Sequence, residues 1–133
     1  MRRDRFAAHR DVQEARMDRS LIVAKVVPTA EDRVAEIFAE SDATELPGLV
    51  GVRHRSLYRL HDLYVHLLET ETPAQGAVED NRGHPEFIRI SERLRPYISP
   101  YLPTWRSPRD AMAHCFYRYD APAHRYDTAG RPQ

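Results

Sequence analysis

The sequence lacks the residues on which several common classes of protein depend. Cys115 is the single cysteine among 133 residues, which excludes an internal disulfide and any metal site built from several cysteines. The five glycines form no phosphate-binding loop, and no G-x-S-x-G nucleophile motif occurs. The seven histidines show neither H-x-H nor H-E-x-x-H spacing. Cofactor-binding, hydrolase and zinc-enzyme classes are therefore disfavoured.

The sequence also lacks an excess of charge of either sign. Its 20 basic and 20 acidic residues give a formal net charge of zero, which argues against nucleic acid or an anionic membrane as a partner. No apolar run approaches the ~18 residues of a membrane span, and no signal-peptide core is present. These absences predict a soluble, cytoplasmic protein. Lys25 is the single lysine beside nineteen arginines, a bias that we attribute to GC-rich coding.

The composition divides the chain into three parts. Residues 1–19 contain six arginines, four acidic residues and little apolar surface, which predicts a flexible N-terminal extension. Residues 123–133 are polar and contain glycine and proline, which predicts a flexible C-terminal tail. Residues 20–122 remain as a single folded domain, a size close to the ~100–150 residues of a typical domain.

Hydrophobic periodicity in the folded part predicts the order β-α-β-β-α-β. The predicted strands cover residues 20–27, 52–59, 63–69 and 111–120, and the predicted helices cover residues 29–42 and 85–95. Thr29 and Asp32 have the spacing of a capping box at the start of the first helix. Residues 44–51 are expected to form a loop, and residues 71–83 a loop with a short helix. This order is the split βαβ, or ferredoxin-like, plan of the α+β class, a four-stranded antiparallel sheet with helices on one face. Its bare face is expected to pair with a second copy in a dimer.

The second and third strands are expected to form a hairpin, because the link between them is short. A turn centred between Leu60 and His61 pairs residues whose numbers sum to 121, which places Arg55 opposite His66. Opposed residues share a face of the sheet. One face then carries Arg53, Arg55, Tyr64 and His66, and the other carries Ser56, Tyr58, Leu63, Val65 and Leu67.

The pair of Arg55 and His66 is the best candidate for a chemical site. Histidine transfers protons near neutrality, and an adjacent arginine stabilises an enolate or phenolate oxygen and disfavours protonation of the imidazole. The same pattern is also typical of a polar cross-strand pair that faces solvent or a dimer interface. Asp42 and Glu45, where the first helix ends, are either acid–base groups or hydrogen-bonding residues of the following loop.

Two long blocks of sequence resemble the tetracenomycin-type aromatic polyketide cyclases. The first, FAESDATELPGLVGVRHRSLYRLHDLYVHLLE, matches the family pattern F-A-x-x-D-x-T-E-L/M-P, then G-V/T-R-x-R, then D-L-Y-x-H-L. The second contains HPEFIRISERLRPYISPYLPTWRSPRDAMAHCFYRY, including TWRSP-x-DAMA-x-x-FY. The resemblance extends from about Leu21 to Pro122, with several unusual blocks in the same order and at the same spacing.

The resemblance implies a function as well as a fold. It implies a ferredoxin-like homodimer in bacterial type II polyketide biosynthesis, typically in actinomycetes. The implied reaction needs no cofactor and no metal: a regiospecific intramolecular aldol condensation of a poly-β-ketone, followed by dehydration to an aromatic ring. Transient contact with an acyl carrier protein or a minimal polyketide synthase is part of the same expectation.

The resemblance also assigns roles to individual residues. Asp42, Arg55 and His66 match family positions that line the substrate cleft, so Arg55 is expected to stabilise the enolate or alkoxide and His66 to transfer the proton. Asp42 is expected to orient groups or assist the loss of water. Some members carry histidine at the position of Ser41. Because serine cannot replace a histidine that transfers protons, His66 is the expected proton-transfer residue in this chain. The residues expected to contact substrate are Phe38, Ser41, Glu45, Tyr64 and Trp105.

Two other functions stay open at the level of the sequence. Cofactor-independent monooxygenases that act on polyphenols share this dimeric fold. A non-catalytic protein that binds and protects a nascent polyketide would present a similar cleft.

Overall fold

A four-stranded antiparallel sheet is the framework of the protein. The computed structural model describes residues 17–122, so residues 1–16 of the predicted extension at 1–19, and the predicted tail at 123–133, lie outside the described residues. Asp18 and Arg19 of that extension belong to the first strand. The strands are β1 (Asp18–Val26), β2 (Val52–Leu60), β3 (Leu63–Thr70) and β4 (Ile98–Ser99). The helices are α1 (Glu31–Asp42), α2 (Leu46–Val50), α3 (Ala74–Asp80) and α4 (Pro85–Leu94), with 3₁₀ turns at Pro28–Ala30 and Pro108–Ala111. No helix within residues 17–122 has the length and apolar character needed to cross a membrane.

The sheet has the strand order β2-β3-β1-β4, with every neighbouring pair antiparallel. Strand β1, which overlaps the strand predicted at residues 20–27, lies between β3 and β4. Along β3 every second residue is buried, namely Tyr64, His66, Leu68 and Thr70. This alternation is the period of two that places successive side chains on opposite faces of a sheet.

Helix α1 covers the buried face of the sheet. Its inward residues Val34, Ile37, Phe38 and Ser41 are buried and recur at helical spacing. Val34 and Phe38 belong to one core cluster with Ala24 and Val26 of β1 and Tyr64 of β3. Ile90 and Leu94 of α4 pack against this cluster but stay partly exposed, because α4 forms one wall of an open cleft.

The hairpin of β2 and β3 has the predicted faces in a different register. Paired residue numbers sum to 123 rather than 121, so Leu57 lies opposite His66 and Arg55 lies opposite Leu68. The predicted turn was wrong because His61, with a φ of 55°, forms a two-residue turn together with Asp62. A shift of two residues preserves the face of every side chain. Arg55, Tyr64 and His66 therefore share a face, as predicted.

The predicted last strand, residues 111–120, is not a strand of this sheet. Met112 forms one isolated bridge with Ile22, and the Ala113 N–H donates to the Leu21 carbonyl over 2.7 Å. Residues 114–122 then run exposed, with no strand partner among the described residues. The fourth strand is the short β4, which lies in the proline-rich segment and pairs with Lys25 and Val26. Its place at the sheet edge is one that tolerates nearby proline.

Two local expectations at helix starts were also wrong. Thr29 and Asp32 form no capping box, because Pro28–Ala30 is a 3₁₀ turn that leads directly into α1, whose N-cap is Ala30. The predicted loop at 44–51 contains helix α2, with Pro47 in its first turn and Gly51 after its end at a φ of 79°. Proline at a helix start and left-handed glycine after its end are the usual pattern.

The left-handed turn at His61 gives a test of the hairpin. His61→Val is expected to lower the free energy of unfolding by about 1 kcal/mol, because a β-branched side chain is disfavoured at positive φ. His61→Asn is the control and is expected to be nearly neutral, since asparagine tolerates this conformation. Urea unfolding of both variants measures the difference, and equal stabilities would contradict the assigned turn.

Candidate active site

A cleft opens between the buried face of the sheet and the surrounding helices. It contains about 700 Å³ of empty space, its open mouth included. Most of its wall is apolar, supplied by residues such as Ile22, Leu46, Val50, Val52, Leu68, Val78, Phe87, Ile90 and Leu94. The polar side chains on the wall are those of Ser41, Arg55, His66 and Ser91. An apolar cleft with a few directing polar groups is typical of a small-molecule site.

Arg55 and Asp42 form the central ion pair of the cleft. Asp42 is the last residue of α1, and Arg55 lies on β2 where the end of that helix crosses the sheet. The Arg55 Nη2 donates to Asp42 Oδ1 over 2.7 Å, and Nε donates to Oδ1 and Oδ2 over 3.2 and 3.0 Å. The Arg55 side chain is only 16% exposed. This two-nitrogen contact fixes the plane of the guanidinium as well as its position.

His66 extends the pair into a buried network. It is 5% exposed, and its Nε2 lies 3.1 Å from Arg55 Nη1 while its Nδ1 lies 3.2 Å from the Tyr64 hydroxyl oxygen. The Phe38 ring meets the imidazole edge to face, with centroids 5.3 Å apart. Phe38 also lies 5.0 Å from the Arg55 Cζ, within the range of a cation–π contact.

Burial keeps both ring-bearing partners of this network uncharged. Burial, together with the smaller effect of the positive charge of Arg55, lowers the pKa of His66 to about 3. Burial also raises the pKa of the Tyr64 hydroxyl well above its usual value, against a smaller opposing effect of Arg55. The network at neutral pH is thus one Arg⁺–Asp⁻ pair with two neutral neighbours.

Arg55 keeps hydrogen-bonding capacity beyond its protein partners. A guanidinium has five N–H bonds. Asp42 binds Nε–H and one N–H of Nη2, and His66 binds one N–H of Nη1. One N–H on each of Nη1 and Nη2 has no protein partner within residues 17–122. Such donors in a cleft of low polarity can bind an oxygen atom that carries negative charge.

The structure brings together most of the residues predicted for the site. Phe38, Ser41, Arg55 and His66 line the cleft, and Asp42 is bound to Arg55 at its edge. The buried Ser41 hydroxyl, on a residue 8% exposed, forms no hydrogen bond with the described residues. It therefore offers a donor and an acceptor to a ligand in the cleft.

Three other predicted substrate contacts lie outside the cleft wall. Glu45 is exposed and binds Nε2 of His84 over 2.8 Å. Trp105 lies against Tyr101, with ring centroids 6.1 Å apart. Tyr64 contacts His66 from within the core rather than lining the cleft.

The sequence reasoning missed the apolar part of the wall that α2 supplies. Leu46 and Val50 are buried there, but residues 44–51 were expected to form a loop. The signal that could have found α2 is the pair of Pro47 and Gly51 at its two ends. Within residues 17–122, no group of three or more histidine, cysteine or acidic side chains is placed to hold a metal ion.

Comparison with known proteins assigns this fold and cleft to a family. The sequence profile of the polyketide synthesis cyclases matches residues 18–120, so the chain belongs to this family. The match covers both strands and the helix that carry Arg55, His66 and Asp42.

Individual relatives agree with this assignment. Tetracenomycin F2 cyclase from Streptomyces glaucescens, described as a type II polyketide cyclase, is 41% identical over 104 residues, or 78% of this chain and 95% of that protein. Its solved structure superposes with a TM-score of 0.75, covering 79% of this chain and 99% of that one. Polyketide synthase CurG from Streptomyces cyaneus is 46% identical over 105 residues, covering 78% of this chain and 98% of that protein. An uncharacterized protein from Streptomyces coelicolor is 51% identical over 106 residues, covering 78% of this chain and 96% of that protein.

The low pKa of His66 predicts a loss of stability in mild acid. Because its pKa is about 3 in the folded protein and has the ordinary value of 6.5 in an unfolded chain, the unfolded state binds more protons between these values. The free energy of unfolding therefore falls as the pH is lowered through this window. From pH 7 to pH 5, the expected contribution of His66 is about 2 kcal/mol.

Urea unfolding at pH 7 and pH 5 measures this contribution in wild type and in His66→Gln. The variant is expected to lose the His66 share of the pH dependence. His54→Gln, which changes an exposed histidine of β2, is the control and is expected to keep it. The same loss of stability in wild type and His66→Gln would contradict the assignment.

Proposed function

We propose that the protein is a cyclase that closes and aromatises a ring of a poly-β-ketone by intramolecular aldol condensation and dehydration. The observation that carries this proposal is the pair of free Arg55 N–H groups in an apolar cleft. The substrate comes from a type II polyketide synthase, and the cyclase transiently contacts the acyl carrier protein of that synthase. The polyketide-related names of two relatives support this substrate class.

Arg55 stabilises the negative charge that develops on substrate oxygen. A carbonyl oxygen bound by Nη1 and Nη2 becomes an enolate oxygen when the adjacent methylene loses a proton. Because Asp42 already fixes the guanidinium, little reorganisation is needed when the charge forms. The surrounding apolar wall lowers the local polarity and so strengthens the interaction.

His66 transfers protons in this reaction, and Asp42 assists the loss of water. His66 Nε2 accepts the methylene proton when the imidazole exchanges its hydrogen bond with Arg55 Nη1 for the substrate C–H, while the guanidinium stays bound to Asp42. The resulting carbanion attacks a second carbonyl carbon, and the alkoxide formed there takes the proton from the His66 imidazolium. Asp42 assists the loss of that hydroxyl group together with a proton of the attacking carbon. These leave as water, and a carbon–carbon double bond forms. A strong base is unnecessary, because a methylene between two carbonyls is acidic.

The cleft walls select which carbon attacks which carbonyl. Phe38 provides an aromatic surface beside Arg55, and the free Ser41 hydroxyl is placed to bind a further substrate oxygen. Holding one folded form of a flexible chain supplies much of the rate by proximity and orientation. The neutral total charge of the Arg55–Asp42 pair suits an uncharged polyketone.

A ferredoxin-like homodimer is the assembly that we propose for this function. The strand order β2-β3-β1-β4 supports the ferredoxin-like assignment. The sheet face away from α1 carries Leu21, Tyr58 and Leu60, which are 42, 58 and 65% exposed. The extended segment 113–122 carries Phe116, Tyr117 and Tyr119, which are 91, 77 and 70% exposed. A second copy would cover both surfaces, because exposed aromatic residues in an unpaired extended segment favour pairing with another chain.

The role of Arg55 is tested with Arg55→Gln and a matched control, Arg59→Gln. Both arginines lie on β2 and pair with an acidic residue of α1, but Arg59 pairs with Glu31 outside the cleft. Arg55→Gln is expected to lower kcat/KM by about 10²-fold, as the loss of a transition-state donor does. Arg59→Gln is expected to keep the rate and the regiochemistry of ring closure.

Products formed with a reconstituted minimal polyketide synthase are identified by mass spectrometry and NMR. Full rate and regiochemistry in Arg55→Gln and in His66→Gln would overturn the assignment of the site. Oxygen consumption in step with product would instead indicate a monooxygenase. Tight binding of the polyketide with an unchanged product spectrum would indicate a binding protein.

The dimer is tested with two substitutions in the extended segment. Phe116→Ser is expected to weaken self-association at least about 100-fold, because two large apolar side chains lose burial in a symmetric dimer. Arg118→Ser, two residues away in the same segment, is the control. Sedimentation equilibrium measures the dissociation constants. A monomeric wild-type protein, or equal constants for both variants, would contradict the proposal.

A further inference from the structure

Tyr64 lies behind the site rather than in its wall. Tyr64 is 5% exposed, and it lines a second cleft near the β2–β3 turn. This second cleft contains about 640 Å³ of empty space, its open mouth included. Val34, Leu57 and Tyr58 also line this second cleft, and none of these residues lines the first cleft. The one polar contact of Tyr64 with the site is the 3.2 Å approach of its hydroxyl oxygen to His66 Nδ1.

The direction of the hydrogen bonds in this network follows from the chemistry of arginine. Arginine nitrogens only donate, so His66 Nε2 accepts from Arg55 Nη1 with its lone pair. A neutral imidazole that accepts at Nε2 carries its proton at Nδ1. The Nδ1–H then donates to the hydroxyl oxygen of Tyr64. The hydroxyl of Tyr64 is thus the acceptor that this tautomer requires.

We propose that Tyr64 is a positioning residue, which fixes His66 in the Nδ1–H tautomer and through it the orientation of Arg55. Its consequence for catalysis rests on the proposed function, whereas the tautomer itself does not. No other side chain among the described residues accepts from His66 Nδ1. Both ends of the imidazole are therefore bound, one by Arg55 and one by Tyr64.

Loss of the hydroxyl would reverse the polarity of the imidazole. Without Tyr64 Oη, a buried Nδ1–H has no acceptor, which is an unfavourable state. The proton is then better placed on Nε2, but an Nε2–H would point at the Nη1 donor of Arg55 from 3.1 Å. Two donors facing each other repel, so Arg55 would turn and keep only its contact with Asp42. The two free N–H groups of Arg55 would then change direction in the cleft.

The experiment is a long-range ¹H–¹⁵N NMR measurement of the His66 tautomer in the full-length protein at pH 7. Wild type is expected to show the Nδ1–H form, and Tyr64→Phe a shift to the Nε2–H form. Tyr58→Phe removes the hydroxyl of an exposed tyrosine on the opposite face of the sheet and is the control, expected to match wild type. An Nε2–H tautomer in wild type overturns the proposal whether or not the variant folds. Retention of the Nδ1–H form in folded Tyr64→Phe also overturns it.

Activity gives a second readout that separates this inference from the proposed function. In the cyclisation assay, Tyr64→Phe is expected to lower kcat/KM about tenfold, the effect of one hydrogen bond of ordinary strength. Tyr58→Phe is expected to have no effect. A tautomer shift with no cyclisation by any variant, wild type included, would contradict the proposed function and support the positioning role. A shift with unchanged activity in Tyr64→Phe would overturn the link between the tautomer and Arg55.

Discussion

The site depends on a single constraint, which is that a guanidinium almost enclosed by protein must be paired with a carboxylate and have most of its N–H groups bound. Asp42 binds the guanidinium from the end of α1, and His66 binds it from β3. The Arg55 side chain, which lies on β2, thus links helix α1 to strands β2 and β3. Removing one partner of such a pair costs much more than an exposed ion pair is worth, because the remaining charge stays buried. The position of α1 on the sheet, and with it the width of the cleft, therefore depends on Arg55.

The same constraint explains the electrostatic character of the cleft. Arg55 and Asp42 cancel in total charge, while burial keeps His66 and Tyr64 neutral. What remains for a ligand is directional, namely two arginine N–H groups and the Ser41 hydroxyl in an apolar wall. Such groups discriminate between the positions of oxygen atoms on a chain more than they attract charge. A site of this kind orients a neutral molecule with many carbonyl groups.

Much of this arrangement could be predicted from sequence, because it depends on periodicity within one element. Alternation along β2 and β3 placed Arg55 and His66 on one face, and helical spacing placed Phe38 and Ser41 inward. The hairpin register could not be predicted in this way, since it depends on the left-handed backbone at His61. Residues 111–120 have the pattern of a strand but lack a partner strand in the described chain. Glu45 lies outside the cleft, where it binds His84, a tertiary contact between residues 39 positions apart that periodicity does not reveal. Trp105 lies against Tyr101 in the proline-rich segment, whose path periodicity does not predict either.

The two arginines of β2 that pair with α1 show that burial, rather than pairing, distinguishes the site. Arg55 and Arg59 bind the last and the first residue of α1, Asp42 and Glu31, so the strand holds the helix at both ends. Glu31 is favoured at the positive end of the helix dipole, whereas Asp42 lies at the negative end, where a carboxylate is disfavoured. The positive charge of Arg55 therefore offsets the unfavourable position of Asp42 at the end of the helix. Arg59 has no such role, because its partner Glu31 is already at a favourable position. At 16% exposure against 31%, Arg55 also has less access to water. Its unused N–H groups are consequently the ones for which a ligand oxygen can compete effectively.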